Sequence, residues 1–190
     1  MRRRSNVSDV REPAEERVIE SRIVYSGKKA KLRLDRVDLG EGRTAMREII
    51  EFPGVAAIVP LDADGNVLCV RQYRLAAQDV LLEIPAGVLD PGEDAEAGAQ
   101  RELREETGMR AGRLTQVGGE FYVSPGISTE WIRLYLAEDL AEDPLSADED
   151  ENIVVERVPL AEAVRMVERG ELRAAKSITG ILLVARLRGV

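Results

Sequence analysis

Histidine is missing from all 190 residues of this chain. Its absence removes the usual general base near neutral pH, the Ser-His-Asp and Cys-His mechanisms, and every histidine-ligated zinc or iron site. An enzyme built on this chain has to work with carboxylates, and a metal held by carboxylates alone is a hard, oxygen-loving ion such as Mg²⁺ or Mn²⁺. Cysteine is nearly absent too. Cys69 is the single one, which excludes an intrachain disulfide; inside the apolar run "NVLCVRQY" it reads as a small buried side chain rather than a reactive thiol. Long apolar runs are lacking: "VAAIVPL" and "ILLVA" fall far short of the ~20 residues of a membrane span. The opening "MRRRSNVSDVREPAEER" starts basic but has no apolar leader core, so a cytoplasmic protein with no membrane partner is expected. Basic residues are the minority, 27 against 35 acidic, for a net charge of −8. That balance argues against a basic track for nucleic acid and favours cation binding.

The length suits one good core with a small appended subdomain. Residues 1–16 are polar and charged, contain Pro13, and read as a mobile arm. Over 17–52, "RVIESRIVY", "AKLRLDRVDL" and "AMREIIEF" alternate in polarity between turn signals, which predicts a three-stranded antiparallel unit too small to stand alone. From residue 53, "GVAAIVPL" and "NVLCVRQYR" read as a strand pair with a hairpin turn at "DADG"; the glutamate spacing of a calcium loop is missing there. A strand "VLLEIPAG" ending at Pro85, a helix over 94–108, strands "RLTQVGGEFYV", "EWIRLYLAEDL" and "NIVVERVPL", and helices "LAEAVRMVERG" and "KSITGILLVARLRG" complete the chain. Mostly antiparallel strands with inserted and trailing helices indicate an α+β fold.

The chemistry concentrates in "AGVLDPGEDAEAGAQRELREETGM", residues 86–109. On a helix, Glu102, Glu105 and Glu106 stand at i, i+3 and i+4 and share one face, while Ala95, Ala99 and Leu103 turn inward. Arg101 can pair with Glu105 at i+4, yet one guanidinium does not balance three clustered carboxylates. A divalent ion among them would. The preceding "GVLDPGE" suits a tight loop that exposes backbone carbonyls and delivers Glu93 to the helix start, and Gly108 offers a left-handed stop. Spacing alone leaves both a metal holder and a solvated acidic helix open.

Gly87, Glu93, Arg101, Glu102, Leu103, Glu105, Glu106, Gly108 and Met109 fill the pattern G-x5-E-x7-R-E-U-x-E-E-x-G-U, with U apolar, without a departure. In this the chain resembles the Nudix hydrolases, over roughly residues 18–190. The resemblance implies an α/β/α sandwich around a mixed sheet with the box as loop-helix-loop. It also implies that Glu102, Glu106 and the backbone carbonyl of Ala86 are metal ligands, with Glu105 on a further ion or its water. Arg101 and Glu93 would brace the loop against the helix, and Mg²⁺ would be the cofactor, with Mn²⁺ as a substitute.

The periphery resembles the ADP-ribose pyrophosphatase branch. Pro125 lies sixteen residues beyond Met109 in "SPGISTE", which also supplies Gly126 and Glu130; the plain alternative there is a proline turn between strands. "MREIIEFPGVAAIV" resembles the segment from which a partner subunit's Arg-Glu pair reaches the substrate, here Arg47 and Glu48, and "VRQYR" the segment whose last arginine, here Arg74, contacts the pyrophosphate. The N-terminal unit would be exchanged across a homodimer. In "ADEDEN", Glu149 is the expected base and Glu151 the metal-associated residue, in an order that the short spacing leaves reversible; a solvated charge run is the alternative. No aromatic residue stands in register in "SGKKAK" to stack on adenine. The expected reaction is hydrolysis of ADP-ribose to AMP and ribose 5-phosphate, with other nucleoside diphosphate sugars, or a catalytically silent nucleotide sensor, as alternatives.

Overall fold

In a computed structural model, residues 14–146 and 152–190 are described. The arm up to residue 13, and the expected acid–base pair Glu149 and Glu151, lie outside the described residues. The chain divides into two compact units, Met1–Glu51 and Phe52–Val190.

The first unit is an antiparallel meander of β1 (Arg17–Ser26), β2 (Lys31–Gly40) and β3 (Arg43–Glu51). Alternation is clearest on β2, where Asp35 and Val37 point inward. Asp35 is buried and is held by the Ser21 hydroxyl at 2.6 Å and by Arg33 Nε at 2.9 Å. Val37 is the one buried apolar side chain of this unit among the described residues, while Val18, Ile19, Ile23, Val24, Tyr25 and Met46 are exposed. A sheet that buries so little apolar area has small stability by itself.

The second unit is layered. Its central sheet has the order β7-β4-β10-β8: β7 (Ala86–Val88), β4 (Val55–Pro60), β10 (Trp131–Glu142) and β8 (Met109–Gln116), with the short β9 (Phe121–Tyr122) also on β10. β10 runs parallel to β4 and antiparallel to β8, so the sheet is mixed. A three-stranded antiparallel sheet, β11 (Val154–Pro159), β5 (Asn66–Arg74) and β6 (Asp79–Glu83), forms beside it. Every residue of β4 is buried, as expected of a strand covered on both faces. On one face, Ala56, Ile58, Tyr135 and Ala137 meet Ala95, Ala99 and Leu103 of α1 (Ala95–Thr107). On the other, Ala57, Val59 and Leu134 pack with Ile84, Ala163 of α2 (Leu160–Glu168), and Ile181 and Val184 of α3 (Ala175–Arg188). The result is a helix–sheet–helix sandwich.

Three strand expectations change. β4 and β5 are not a hairpin pair: β4 pairs with β7 and β10, β5 with β6 and β11, and only an isolated Leu61–Val67 bridge joins their ends, so the turn at residues 62–65 hands the chain from one sheet to the other. "RLTQVGGEFYV" is not one strand: pairing starts earlier, at Met109, and is interrupted between β8 and β9. Gln116 faces Tyr135 while Phe121 faces Ile132, so five steps on one side match three on the other. Gly118, at φ 71°, absorbs the extra residues as a bulge. "VLLEIPAG" likewise divides at Ile84 and Pro85 into β6 and β7, which belong to different sheets. Proline has no amide hydrogen to continue a ladder, so the chain switches sheets there.

Candidate active site

The acidic stretch folds as loop and helix because both ends of α1 are sealed. The Asp94 carboxylate accepts from the Glu96 and Ala97 amides at 3.0 and 3.2 Å, and Gly108, at φ 72°, closes the last turn through its own amide on the Arg104 carbonyl. Ala99 and Leu103 are fully buried against the central sheet, which fixes the rotation of the helix. The adjoining face therefore presents Glu102, Glu105 and Glu106 toward the loop of residues 86–93, with Glu102 and Glu106 buried beside Ala99 and Leu103.

Arg101 holds this constellation. Its Nε and Nη2 each reach a Glu93 oxygen at 2.9 Å, Nη1 reaches Glu102 Oε1 at 2.6 Å and Glu105 Oε2 at 2.9 Å, and Nη2 also donates to the Val88 carbonyl at 3.2 Å. Glu93 in turn accepts the Asp90 amide at 2.9 Å. The Arg101 hydrogen bonds hold the Glu93 carboxyl below its usual range against the opposing effect of burial. The same carboxylates push the Arg101 guanidinium to a still more basic value. One side chain thus ties the loop to the helix by fork-to-carboxylate bonds. Among the described residues no three His, Cys, Asp or Glu side chains close a cage around a single point. Glu102 and Glu105 instead share the guanidinium.

The backbone leaves room for the buried carboxylates. A Cβ on Gly87 would stand 1.9 Å from the Glu102 carboxyl carbon and 2.0 and 2.1 Å from its oxygens, so Glu102 lies directly on the Gly87 backbone. Gly98 lets α1 approach the loop in the same way, since a Cβ there would meet Leu89 Cδ2 at 2.4 Å. Glu106, also buried, accepts the Ala86 amide at 3.2 Å. Glu102, Glu105, Glu106, Arg101, Glu93, Gly87 and Ala86 therefore come together. Two buried carboxylates with Glu105 beside them form a set of oxygen donors whose chemistry fits a hard divalent cation, and the missing side chain of Gly87 leaves room for the Glu102 carboxylate among them.

The other expected site residues stand elsewhere or differently engaged. Pro125 and Gly126 lie on an exposed turn in which the Ser124 carbonyl accepts from the Ile127 and Ser128 amides at 3.0 and 2.9 Å. Glu130 follows it; burial raises its carboxyl, and the charge of Lys176 partly offsets the rise. Arg47 and Glu48 are on β3 of the first unit, where Arg47 Nε donates to Glu16 at 2.8 Å. Arg74 grips Glu83, with Nε on Oε1 at 2.7 Å and Nη2 on Oε2 at 3.0 Å.

Glu83 itself escaped the sequence reading. It is 2% exposed and is also paired with Lys176. Burial would raise its carboxyl, yet Arg74 and Lys176 together hold it below the usual value. The signal was a lone charge inside the apolar run "VLLEIP". Nothing local told that its partner lay 93 residues away on α3.

The model of the NUDIX domain matches residues 51–179. The chain is 38% identical to an ADP-ribose pyrophosphatase of Bacillus subtilis (strain 168), over 88% of this chain and 91% of that protein. It is 40% identical to an ADP-ribose pyrophosphatase of Mycobacterium tuberculosis (strain ATCC 25618 / H37Rv), over 87% and 81%. A methanol dehydrogenase activator of Bacillus methanolicus is 34% identical over 88% and 91%. Among solved structures, that of an ADP compounds hydrolase superposes with a TM-score of 0.84 at 24% identity, covering 94% of this chain and 97% of that one.

Proposed function

Because the chain belongs to the Nudix family, we propose that it is a pyrophosphohydrolase that cleaves ADP-route substrates at the phosphoanhydride, with ADP-ribose and water giving AMP and ribose 5-phosphate. The observation that carries this reading is the complete box folded around Arg101, in a chain 38% and 40% identical to two ADP-ribose pyrophosphatases over most of their lengths.

Glu102 and Glu106, with Glu105 beside them and the Ala86 carbonyl, are the residues that would hold Mg²⁺. Bound there, the ion supplies positive charge against the phosphate oxygens and makes water a better acid. The protein's own work is positioning. Arg101 and Glu93 keep the loop and helix in register, and Gly87, lacking a side chain, lets the Glu102 carboxylate lie against the loop backbone. In this proposal Glu149 is the base for the attacking water and Glu151 the metal-associated residue. A carboxylate suffices as base once the water is acidified, which accounts for an enzyme without histidine. Arg74, oriented by Glu83, and Glu130 form the substrate side with the turn at Pro125 and Gly126. Arg47 and Glu48 would come from a partner subunit in a homodimer that exchanges the N-terminal unit; the many exposed apolar side chains of that unit support such an assembly.

Comparing kcat/KM for ADP-ribose with that for GDP-mannose and other nucleoside diphosphate sugars tests the substrate. ADP-ribose is expected to lead; a guanosine or uridine substrate turned over faster would move the assignment to the wider sugar class. The relative named as an activator keeps a regulatory reading in view, and product analysis separates the two, since a silent sensor returns its ligand intact.

A further inference from the structure

The segment 84–86 crosses from one sheet to the other and carries the Ala86 carbonyl into the box. Each of its peptides is pinned by a different element. The Ile84 amide donates to the Ser177 hydroxyl at 3.0 Å, the Pro85 carbonyl accepts the Ile58 amide of β4 at 2.9 Å, and the Ala86 amide donates to Glu106 of α1 at 3.2 Å. Just before it, Glu83 is paired with Lys176. Two consecutive residues of α3, Lys176 and Ser177, therefore hold two consecutive residues of the chain, Glu83 at the end of β6 and Ile84 at the start of the crossing segment. Ser177 is fully buried. One turn further along α3, Gly180 lets the helix rest on Ile84 and on β4 and β10: a Cβ there would stand 2.9 Å from Ile84 Cδ1 and 3.0 Å from Leu134 Cδ1 and Val59 Cγ2.

Packing alone does not call for this pattern. An apolar helix face would stabilise the sandwich equally well, and a buried hydroxyl and a buried ion pair have a desolvation cost unless they fix something. They are spent on the residues that lead directly into Ala86. We infer that the start of α3 is a brace for the metal-holding loop, with Ser177 and Lys176 as positioning residues for the Ala86 carbonyl. This rests on the Nudix reading of Ala86, Glu102 and Glu106 as the metal-holding set. Groups that orient metal ligands from outside typically change metal affinity when removed, more than they change substrate binding.

The test is Mn²⁺ binding by electron paramagnetic resonance without substrate, on the full chain and on the Ser177→Ala, Ser177→Thr and Lys176→Met variants, with melting curves for each. Ser177→Ala leaves the Ile84 amide without its acceptor and is expected to weaken Mn²⁺ binding by about ten-fold. Ser177→Thr keeps the hydroxyl and should recover most of that loss. At saturating metal, the KM for ADP-ribose of Ser177→Ala should stay near that of the parent protein. Folded Ser177→Ala and Lys176→Met proteins that both bind Mn²⁺ like the parent overturn the brace. If Ser177→Ala does not fold, Lys176→Met decides alone, weaker binding supporting the brace and parental binding overturning it. A parent protein that binds no Mn²⁺ overturns the brace together with the metal site. One that binds Mn²⁺ yet leaves ADP-ribose intact overturns only the substrate reading, and the brace is still measured.

Discussion

Replacing Gly87 with alanine separates catalysis from folding more cleanly than removing a charge. Gly87 is not among the glycines with positive φ, so its backbone accepts an alanine without strain. The added methyl would lie 1.9–2.1 Å from the three atoms of the Glu102 carboxyl group, whereas ordinary contact begins at 3.4 Å. The carboxylate must therefore retreat by about 1.3–1.5 Å to restore normal van der Waals separation. The retreat disturbs the 2.6 Å bond from Arg101 Nη1 to Glu102, one of the three carboxylates that share the guanidinium, and the reduced freedom of the unfolded chain offsets part of that cost by roughly 0.4–1 kcal/mol. Stability should thus change by less than about 1 kcal/mol, a shift of a few degrees in Tm. A misplacement of about 1 Å at a reacting centre costs on the order of 10²-fold in rate, close to 3 kcal/mol. Steady-state assays with ADP-ribose over a Mg²⁺ series, paired with thermal melts, give both numbers. Gly119→Ala, where a Cβ meets nothing within 4 Å, is the control. Full activity in Gly87→Ala at ordinary Mg²⁺ would refute the placement of Glu102 at the reacting centre.

Further outcomes follow from the same geometry. Glu106→Gln keeps an oxygen for the Ala86 amide and loses only charge, so kcat should fall about 10³-fold while the melting curve stays near that of the parent. Arg101→Met leaves Glu93, Glu102 and Glu105 without their common partner; after allowance for solvent screening, urea denaturation should show a loss of about 2 kcal/mol, with activity lost as well. Glu83 and Glu93 both titrate below the ordinary carboxylate value of 4.5, so their contribution is present above about pH 4.5 and disappears as pH falls through their lowered folded values. Denaturation midpoints should accordingly decline on the acid side of pH 4.5, and Glu83→Gln should flatten that decline.

What could be read from the chain beforehand was what local chemistry encodes. The box helix was legible almost to the residue because Asp94 and Gly108 are capping types at its two ends and Ala95, Ala99 and Leu103 mark its inner face. Glu93, Arg101 and the three glutamates were legible as a cluster for the same reason, since all lie within fourteen residues of one another. The three-stranded N-terminal unit also followed from alternation and turn signals, whereas element order indicated only an α+β fold and the helix–sheet–helix layering came from the resemblance to the Nudix hydrolases. Long-range pairing was not legible. The bulge at Gly118 depends on the register of β8 and β9 against β10, and the division of "VLLEIPAG" between two sheets depends on which strands flank Pro85. The partnership of Glu83 with Arg74 and Lys176 exists only once β5, β6 and α3 are assembled. Arg74 carries enough charge to be noticed in sequence, but the carboxylate that aims it does not announce its partner.

The most direct test is to incubate the full chain with ADP-ribose, with Mg²⁺ and with a chelator in its place, and to resolve the products by ion-exchange chromatography. The account predicts AMP and ribose 5-phosphate in equal amounts with Mg²⁺ and none with the chelator. Intact ADP-ribose in the presence of Mg²⁺ and of Mn²⁺, or products formed equally well with chelator, would contradict it.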